Sequence, residues 1–251
     1  MRVRATRSPA EILGPRCSAR TLCIAFSLLA GVFVRAGSAQ PIEPLTQDRG
    51  LTCNAVSSFG HCYDGASKRD VAPDFGDYDA DIGAAANRCY NQSVSVGAEQ
   101  VSTIRPDFID IYTRVTSVAQ GGGGNAYSYA TITFRIGPFG DYEYDLLADG
   151  TTGGYAGLGA LEVSLRHPDG RVDSLQIRSE STWSSTCCQA TRQIHRKGLL
   201  EAGEYSLALE ARAQQGLFYA WATSKVHFAV RRVVPVAHEA ITWTHVKVLF
   251  R

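Results

Sequence analysis

GLLEAGEYSLALEARA, residues 198–213, is the stretch whose reading decides the fold. Behind Gly203, the residues Tyr205, Leu207, Leu209, Ala211 and Ala213 fall on one side of the chain. Ser206, Ala208, Glu210 and Arg212 fall on the other. Successive side chains of a strand point to opposite faces, so a strict period of two marks a strand with one face buried. Leu199 or Leu200 is expected to fill the core as the chain leaves the preceding segment, and Gly203 permits a sharp bend. Tyr205 then opens the strand. Its hydroxyl is placed to reach back to a backbone group at the corner, as in a tyrosine corner.

The same alternation recurs upstream and downstream. It is carried by Ile109, Ile111 and Val115; by Ala130, Ile132, Phe134 and Ile136; and by Tyr142, Tyr144 and Leu146. Leu161, Val163 and Leu165 follow, then Leu175 and Ile177, then Ala220, Ala222, Val226, Phe228 and Val230. Gly121–Gly124, GPFGD, ADGTTGGYAG and HPDGR separate these segments and read as turns or loops, with Asp169-Gly170 the strongest turn signal. Period-two segments bounded by Gly, Pro and Asp, with no long helical pattern, predict an all-β chain of antiparallel sheets arranged as a two-sheet sandwich or a barrel. That domain is expected over residues 91–234. Residues 40–90, rich in Asp, Gly and Pro, read as a loop-rich, acidic, cysteine-containing arm, with room for a short helix at Asp81–Arg88.

The first 39 residues do not belong to this pattern. Five arginines, from Arg2 to Arg20, lead into the apolar run TLCIAFSLLAGVFV, and Gly37 and Ala39 stand at the −3 and −1 places of a cleavage site. This is the anatomy of a secretory signal peptide, and the run is short for a membrane-spanning helix. The expected location is therefore secreted, either extracellular or periplasmic, with no membrane span after cleavage. A transmembrane anchor is the alternative reading of the same run. The whole chain has 25 Lys and Arg against 24 Asp and Glu. Removing six arginines and Glu11 leaves 19 against 23, a net charge of −4. No concentrated basic face of the kind a nucleic-acid partner requires is visible.

Cys17 and Cys23 leave with the leader, so Cys53, Cys62, Cys89, Cys187 and Cys188 remain. An exported chain meets oxidising conditions, which makes disulfides the default. Five is odd, so at least one thiol stays free or pairs between chains. The vicinal Cys187 and Cys188 are poorly placed to bond to each other. The expected pairs are Cys53 with Cys62, and Cys89 with one of the vicinal cysteines.

NQSVSV at Asn91–Val96, AYSYATITFRI at Ala126–Ile136, GLLEAGEYSLALEARA and the Ala-rich YAWATSKVHFAV together resemble a group of bacterial secreted β-sandwich proteins. Many members of that group carry a PEP-CTERM sorting signal. The similarity is one of pattern over about Ala84 to Val233. It implies a jelly-roll-like sandwich exported to the cell surface or matrix, and it supplies no catalytic residues. The tail PVAHEAITWTHVKVLFR, covering 235–251 after the last strand, departs from the sorting signal. Pro235 stands without a Pro-Glu-Pro, and the tail is too polar to span a membrane; it reads as an extra strand or an end.

Two constellations carry candidate chemistry. Asp74, Asp77, Asp79 and Asp81 offer hard oxygen ligands suited to Ca²⁺, although Ile82 and Arg88 stand where an EF-hand loop needs Gly and Glu. Tyr112, Tyr127, Tyr129, Tyr219 and Trp221 fall opposite the core-facing residues. If their strands are neighbours they form an aromatic platform for sugars, extracellular polysaccharide being the partner; the favoured reading is cross-strand pairing on an exposed sheet, or cover by the N-terminal arm. Enzyme signatures are missing: there is no G-x-S-x-G, and His238-Glu239 is followed by Thr242 where a zinc site needs histidine. Cys187, Cys188 and His195 match no standard zinc spacing. The expectation is an exported, non-catalytic structural or surface protein without a cofactor, Ca²⁺ apart. A glycan- or calcium-binding module is the alternative, and a hydrolase with an unrecognised site the third.

Overall fold

Alternation in sequence becomes alternation in burial. Along Ala126–Ile136 every second side chain is buried, and Ile132, Phe134, Leu207 and Leu209 are 0–1% exposed. The computed structural model describes residues 41–59, 61–89, 92–138, 140–180 and 188–233. The leader read at 1–39, Cys187, the side chain of Cys188 and the tail 235–251 lie outside the described residues.

Among the described residues ten strands follow one another: β1 (Glu43–Phe59), β2 (Cys62–Val71), β3 (Tyr78–Ala86), β4 (Ser93–Ile104), β5 (Phe108–Gln120), β6 (Gly122–Ile136), β7 (Asp141–Arg166), β8 (Val172–Glu180), β9 (Cys188–Leu200) and β10 (Gly203–Val233). All pairings are antiparallel. The order is β2-β1-β6-β10-β5-β4-β3, and β7 pairs with β10, β8 and β9. The chain is therefore all-β, built as one antiparallel sheet curled nearly into a barrel.

The curl has a local cause. Residues 203–215 of β10 lie between β6 and residues 157–166 of β7, whereas residues 219–233 lie between β5 and residues 141–155 of β7. The register slips between Gln215 and Tyr219, beside Ala156, whose φ of 51° is in the left-handed region. The same β7–β10 ribbon thus serves two sets of neighbours. The first half contains β2, β1, β6 and β8; the second contains β3, β4, β5 and β9.

The inner faces of the two halves meet. Phe134 on β6 and Phe228 on the second stretch of β10 share no pairing, yet their rings are 5.3 Å apart. Phe134 also stacks on Tyr205 at 5.6 Å, and Tyr144 lies 6.0 Å from Phe228. Toward the other end the interior turns polar. Arg49 on β1 is fully buried and donates to Ser102 Oγ on β4 at 2.8 Å, Gln47 Oε1 at 2.9 Å, Asp74 O at 2.6 Å and Gly76 O at 2.9 Å. Each donation satisfies a guanidinium N–H that would otherwise be buried without a partner. Gln100 Nε2 on β4 likewise donates to the Tyr129 carbonyl of β6 at 3.1 Å.

The corner at the opening stretch is as expected. Tyr205 is 2% exposed and its hydroxyl donates to the Glu201 carbonyl at 3.0 Å. Gly203 has φ 154°, and a Cβ there would stand 2.6 Å from Pro168 Cγ. Leu200 is the residue that fills the core, since Leu199 is 66% exposed. HPDGR is a tight turn, closed by His167 N donating to Arg171 O at 2.8 Å, with Gly170 at φ 84°.

Three expectations are corrected. The region 40–90 is not a loop-rich arm: β1, β2 and β3 occupy most of it, and the helix allowed at Asp81–Arg88 is strand through Ala86. Many of its inward residues are small (Cys53, Ala55, Ser57, Ala84 and Ala86) and one is Arg49, so the alternation carries little hydrophobic contrast. ADGTTGGYAG is not a loop but the middle of β7. The cysteine pairing also differs: Cys62 bonds Cys89, and Cys53 is a buried free thiol. On the β1–β2 hairpin, Cys62 stands opposite Phe59 while Cys53 stands opposite Lys68. Six strand residues, about 20 Å, therefore separate the two thiols.

The disulfide joins β2 to the end of β3, the two ends of the strand order. Asp64 Oδ2 adds to the join by accepting from the backbone of Asn87 at 2.9 Å and Arg88 at 3.2 Å. Closing a loop of sequence separation 27 removes unfolded-state entropy, an effect on the order of 3–4 kcal/mol. Cys62→Ser, Cys89→Ser and the double variant are expected to lose that amount equally, read as one common shift of the urea midpoint. A double variant much weaker than either single would contradict the loop-entropy origin.

Candidate functional site

The outer face of the second half carries an apolar patch. Val118 on β5, Tyr219 on β10 and Tyr155 on β7 stand opposite one another in register. Val118 is 51% and Tyr219 49% exposed, and Phe218 packs edge-on against Tyr155 at 4.9 Å. In the next row, Trp221 lies between Thr116 and Gly153. A Cβ at Gly153 would come within 2.7–2.8 Å of three indole atoms, so the ring rests against bare backbone. On the far side of Thr116 the row continues through Gly97 and Gly83. Without side chains at those positions, the face is hollowed beside the indole.

Two recesses run along β5 and β10. One, of about 540 Å³, is lined by Tyr112, Arg114, Thr116, Val118, Tyr219, Trp221 and Thr223. The other, of about 330 Å³, includes Val101, Tyr112, Asp110, Asp149, Lys225 and His227. They meet at Tyr112. His227 Nδ1 lies 2.5 Å from Asp110 Oδ1.

The five aromatic candidates therefore divide. Tyr112, Tyr219 and Trp221 share this trough, but Tyr127 and Tyr129 do not belong to it. Both sit on β6, which pairs with the first stretch of β10, on the outer face of the other half. There they stack on each other at 5.5 Å. Burial and the Glu210 carboxylate push the Tyr127 phenol up to about 12. Tyr129 covers Gly50, and Arg69 Nη2 donates to its hydroxyl at 3.4 Å. The same half carries a polar recess of about 560 Å³ where Glu162 and Glu210 stand directly opposite, among Arg178, Arg192 and Arg212.

The four aspartates do not converge. Asp74 Oδ1 accepts from Gly76 N at 2.7 Å, and Asp77 pairs with Arg105 at 2.8 Å. Asp79 and Asp81 lie along β3 opposite Val101 and Glu99 of β4. Among the described residues, no three His, Cys, Asp or Glu side chains gather as a metal site would require. Cys53 is enclosed: its Sγ lies 3.5 Å from the Ile82 carbonyl, and burial pushes the thiol up to about 11.

One buried polar network lies beneath the HPDGR turn. His167, 5% exposed, places Nε2 3.0 Å from Asp173 Oδ2, to which the Tyr144 hydroxyl also donates at 2.9 Å. Arg171 Nη2 lies 3.0 Å from Nδ1. Arg171 has only donors to offer, so this arrangement suits Nδ1 as acceptor and Nε2–H as donor to the carboxylate. These groups lock the turn to the aromatic core, where His167 packs edge-on against Tyr205 at 5.4 Å.

Sequence reasoning missed Gly153, Gly97, Thr116, Val118 and Tyr155. Their only signal is the pairing register, which needs strand partners. No protein-family model matches the chain, and no curated protein matches it. Among solved structures it is similar to TmCBM61 in complex with beta-1,4-galactotriose, with 10% identity, 61% of this chain and 88% of that chain covered, and a TM-score of 0.23. It is also similar to arabinose-bound MgGH51 α-L-arabinofuranosidase, with 14% identity, 59% and 23% covered, and a TM-score of 0.22. A third is the enzymatically active domain of bacteriophage CBA120 tailspike protein 4, with 10% identity, 54% and 19% covered, and a TM-score of 0.22. Likeness at these scores carries no functional argument.

Burial raises the Asp173 carboxyl, but hydrogen bonds from His167 and Tyr144 outweigh it and hold the group below its ordinary value. A carboxyl lowered on folding adds stability above the usual carboxylate range, near about 4, and gives it up as the pH falls through the folded-state value. Asp173→Asn is expected to flatten that acid limb of the urea midpoint against pH; an unchanged slope would refute the assignment. Separately, Cys53 should resist iodoacetamide in the native protein and react once unfolded, as peptide mapping would show; ready native labelling of Cys53 would contradict its enclosure.

Proposed function

We propose that the protein is an exported, non-catalytic domain that binds polysaccharide along the outer face of β5, β10 and β7. The observation that carries this reading is Trp221, held against the bare backbone of Gly153 beside the half-exposed Tyr219. Sugar rings present apolar C–H faces, and aromatic rings fixed on a rigid sheet stack on them at little cost in conformational freedom. A contiguous exposed apolar patch next to polar recesses is the usual mark of a contact surface.

Two further features support the wider reading. The Cys62–Cys89 disulfide suits an oxidising compartment, in keeping with the basic, apolar leader of the sequence. The two halves of the sheet, hinged on the β7–β10 ribbon and facing one another across shared aromatics, support a two-layer sandwich of jelly-roll type. The imidazoles on this face, His195 and His227, are engaged by Asp145 and Asp110. Neither is hydrogen-bonded to a serine or cysteine among the described residues, and a nucleophilic triad needs such a bond.

Affinity electrophoresis through gels containing soluble polysaccharides tests the proposal. At least one polymer should retard the native protein, without release of reducing ends on long incubation. Trp221→Ala should weaken that binding by about thirtyfold, the ~2 kcal/mol of an aromatic anchor, with no shift in the urea midpoint. Retardation unaffected by Trp221→Ala, or none in any gel, would overturn the reading.

A further inference from the structure

The trough that holds Trp221 is lined by charge, but the charge is matched residue by residue across strands. Arg114 on β5 stands opposite Glu99 on β4, and Lys225 on β10 stands opposite Asp149 on β7. His227 on β10 is bonded to Asp110 on β5. Both permanent cations bordering the recesses, Arg114 and Lys225, thus stand in register with a carboxylate on the same outer face. Such a face projects little net field, because opposite charges at neighbouring register positions cancel at a distance. Up close it offers something else. A carboxylate only accepts hydrogen bonds and an ammonium or guanidinium only donates them, while a sugar hydroxyl does both.

We infer that the ligand is an uncharged polysaccharide, running along β10 from Tyr219 to His227, whose hydroxyls are held between the paired donors and acceptors. This rests on the glycan reading above and narrows it to a substrate class. Eight residue-to-residue steps separate Tyr219 from His227, about 26 Å of strand. The recesses of about 540 and 330 Å³ meet at Tyr112, giving room for consecutive sugar units rather than one. An anionic polymer would meet cations whose charge is already compensated, and carboxylates that repel it. The outer face of the other half differs, since there Glu162 and Glu210 face each other without alternation.

The test uses the full mature chain and two sets of gels, one with uncharged polymers (galactan, xyloglucan, mixed-linkage glucan) and one with polyanions (polygalacturonate, chondroitin sulfate). The expected result is retardation by an uncharged polymer, changing by less than about twofold between low and high salt, since neutral ligands are not screened. Lys225→Met and Asp149→Asn should each weaken it by about fivefold or more, as losing one charge-assisted hydrogen bond requires. Retention by polyanions alone, steep loss with salt, or tighter binding by Asp149→Asn would overturn the inference; if Trp221→Ala still abolished retention, the glycan face would stand. Uncharged binding untouched by both charge variants would also overturn it. No retention in either set would remove the inference together with the reading it rests on.

Discussion

The rest of the structure depends on the pairing of β7 with β10. These two strands stay hydrogen-bonded from Asp141–Val233 at one end to Arg166–Ser206 at the other, with one slip between Gln215 and Tyr219. Because both continue through the slip, each belongs to both halves of the sheet. The bend there brings Phe228 over Phe134, and the aromatic cluster of Phe134, Tyr205, Tyr144, His167 and Phe228 fills the space between. Truncating Phe134 to Ala would cost about 3–5 kcal/mol by ordinary core energetics, because Tyr205 and Phe228, on the two stretches of β10, would lose the ring they share.

Away from that cluster the two halves are held differently. The inward residues of β1, β3 and β4 are mostly small, and Gly124 admits no Cβ because Ser117 Oγ and Val96 Cγ1 would lie within 2.5–2.6 Å. Close approach leaves little volume for hydrophobic side chains, so polar groups and a covalent bond contribute in their place. Arg49 ties β1 to β4 and to the connection before β3, and burial lowers its guanidinium despite nearby Asp74. The disulfide fastens the outermost strands at the opposite edge. The aromatic cluster thus holds one region of the sheet together, and Arg49 and the disulfide pin the other.

The same constraint shapes the proposed binding face. Since the second stretch of β10 pairs with β5 and β7 and not with β6, Trp221 faces Thr116 and Gly153, and Tyr127 and Tyr129 are carried to another surface. A glycine on the inner side serves the fold nearby, since a Cβ at Gly159, opposite the buried Ala213, would stand 2.4 Å from the Trp221 carbonyl. The ring position and the neighbouring charge pairs are set by backbone registers in a stiff sheet. That is the kind of support a preorganised recognition surface requires.

The sequence by itself determined the strand class and the core-facing set. Ile132, Phe134, Leu207 and Leu209 are interior because a pleated chain must hide alternate apolar side chains from water, and that periodicity is written locally. Tyr205 and its corner, and the turn at Asp169-Gly170, were legible for the same reason: their hydrogen bonds close within four residues. The arm at 40–90 was not, because alanine, serine and cysteine on an inward face give almost no contrast with polar neighbours. Only the tertiary structure decided that Cys62 meets Cys89, that ADGTTGGYAG continues as strand, and that Trp221 joins Tyr219 but not Tyr127. Each of these depends on which strand lies beside which, and register between distant segments is fixed by closure of the whole sheet rather than by any short stretch of chain.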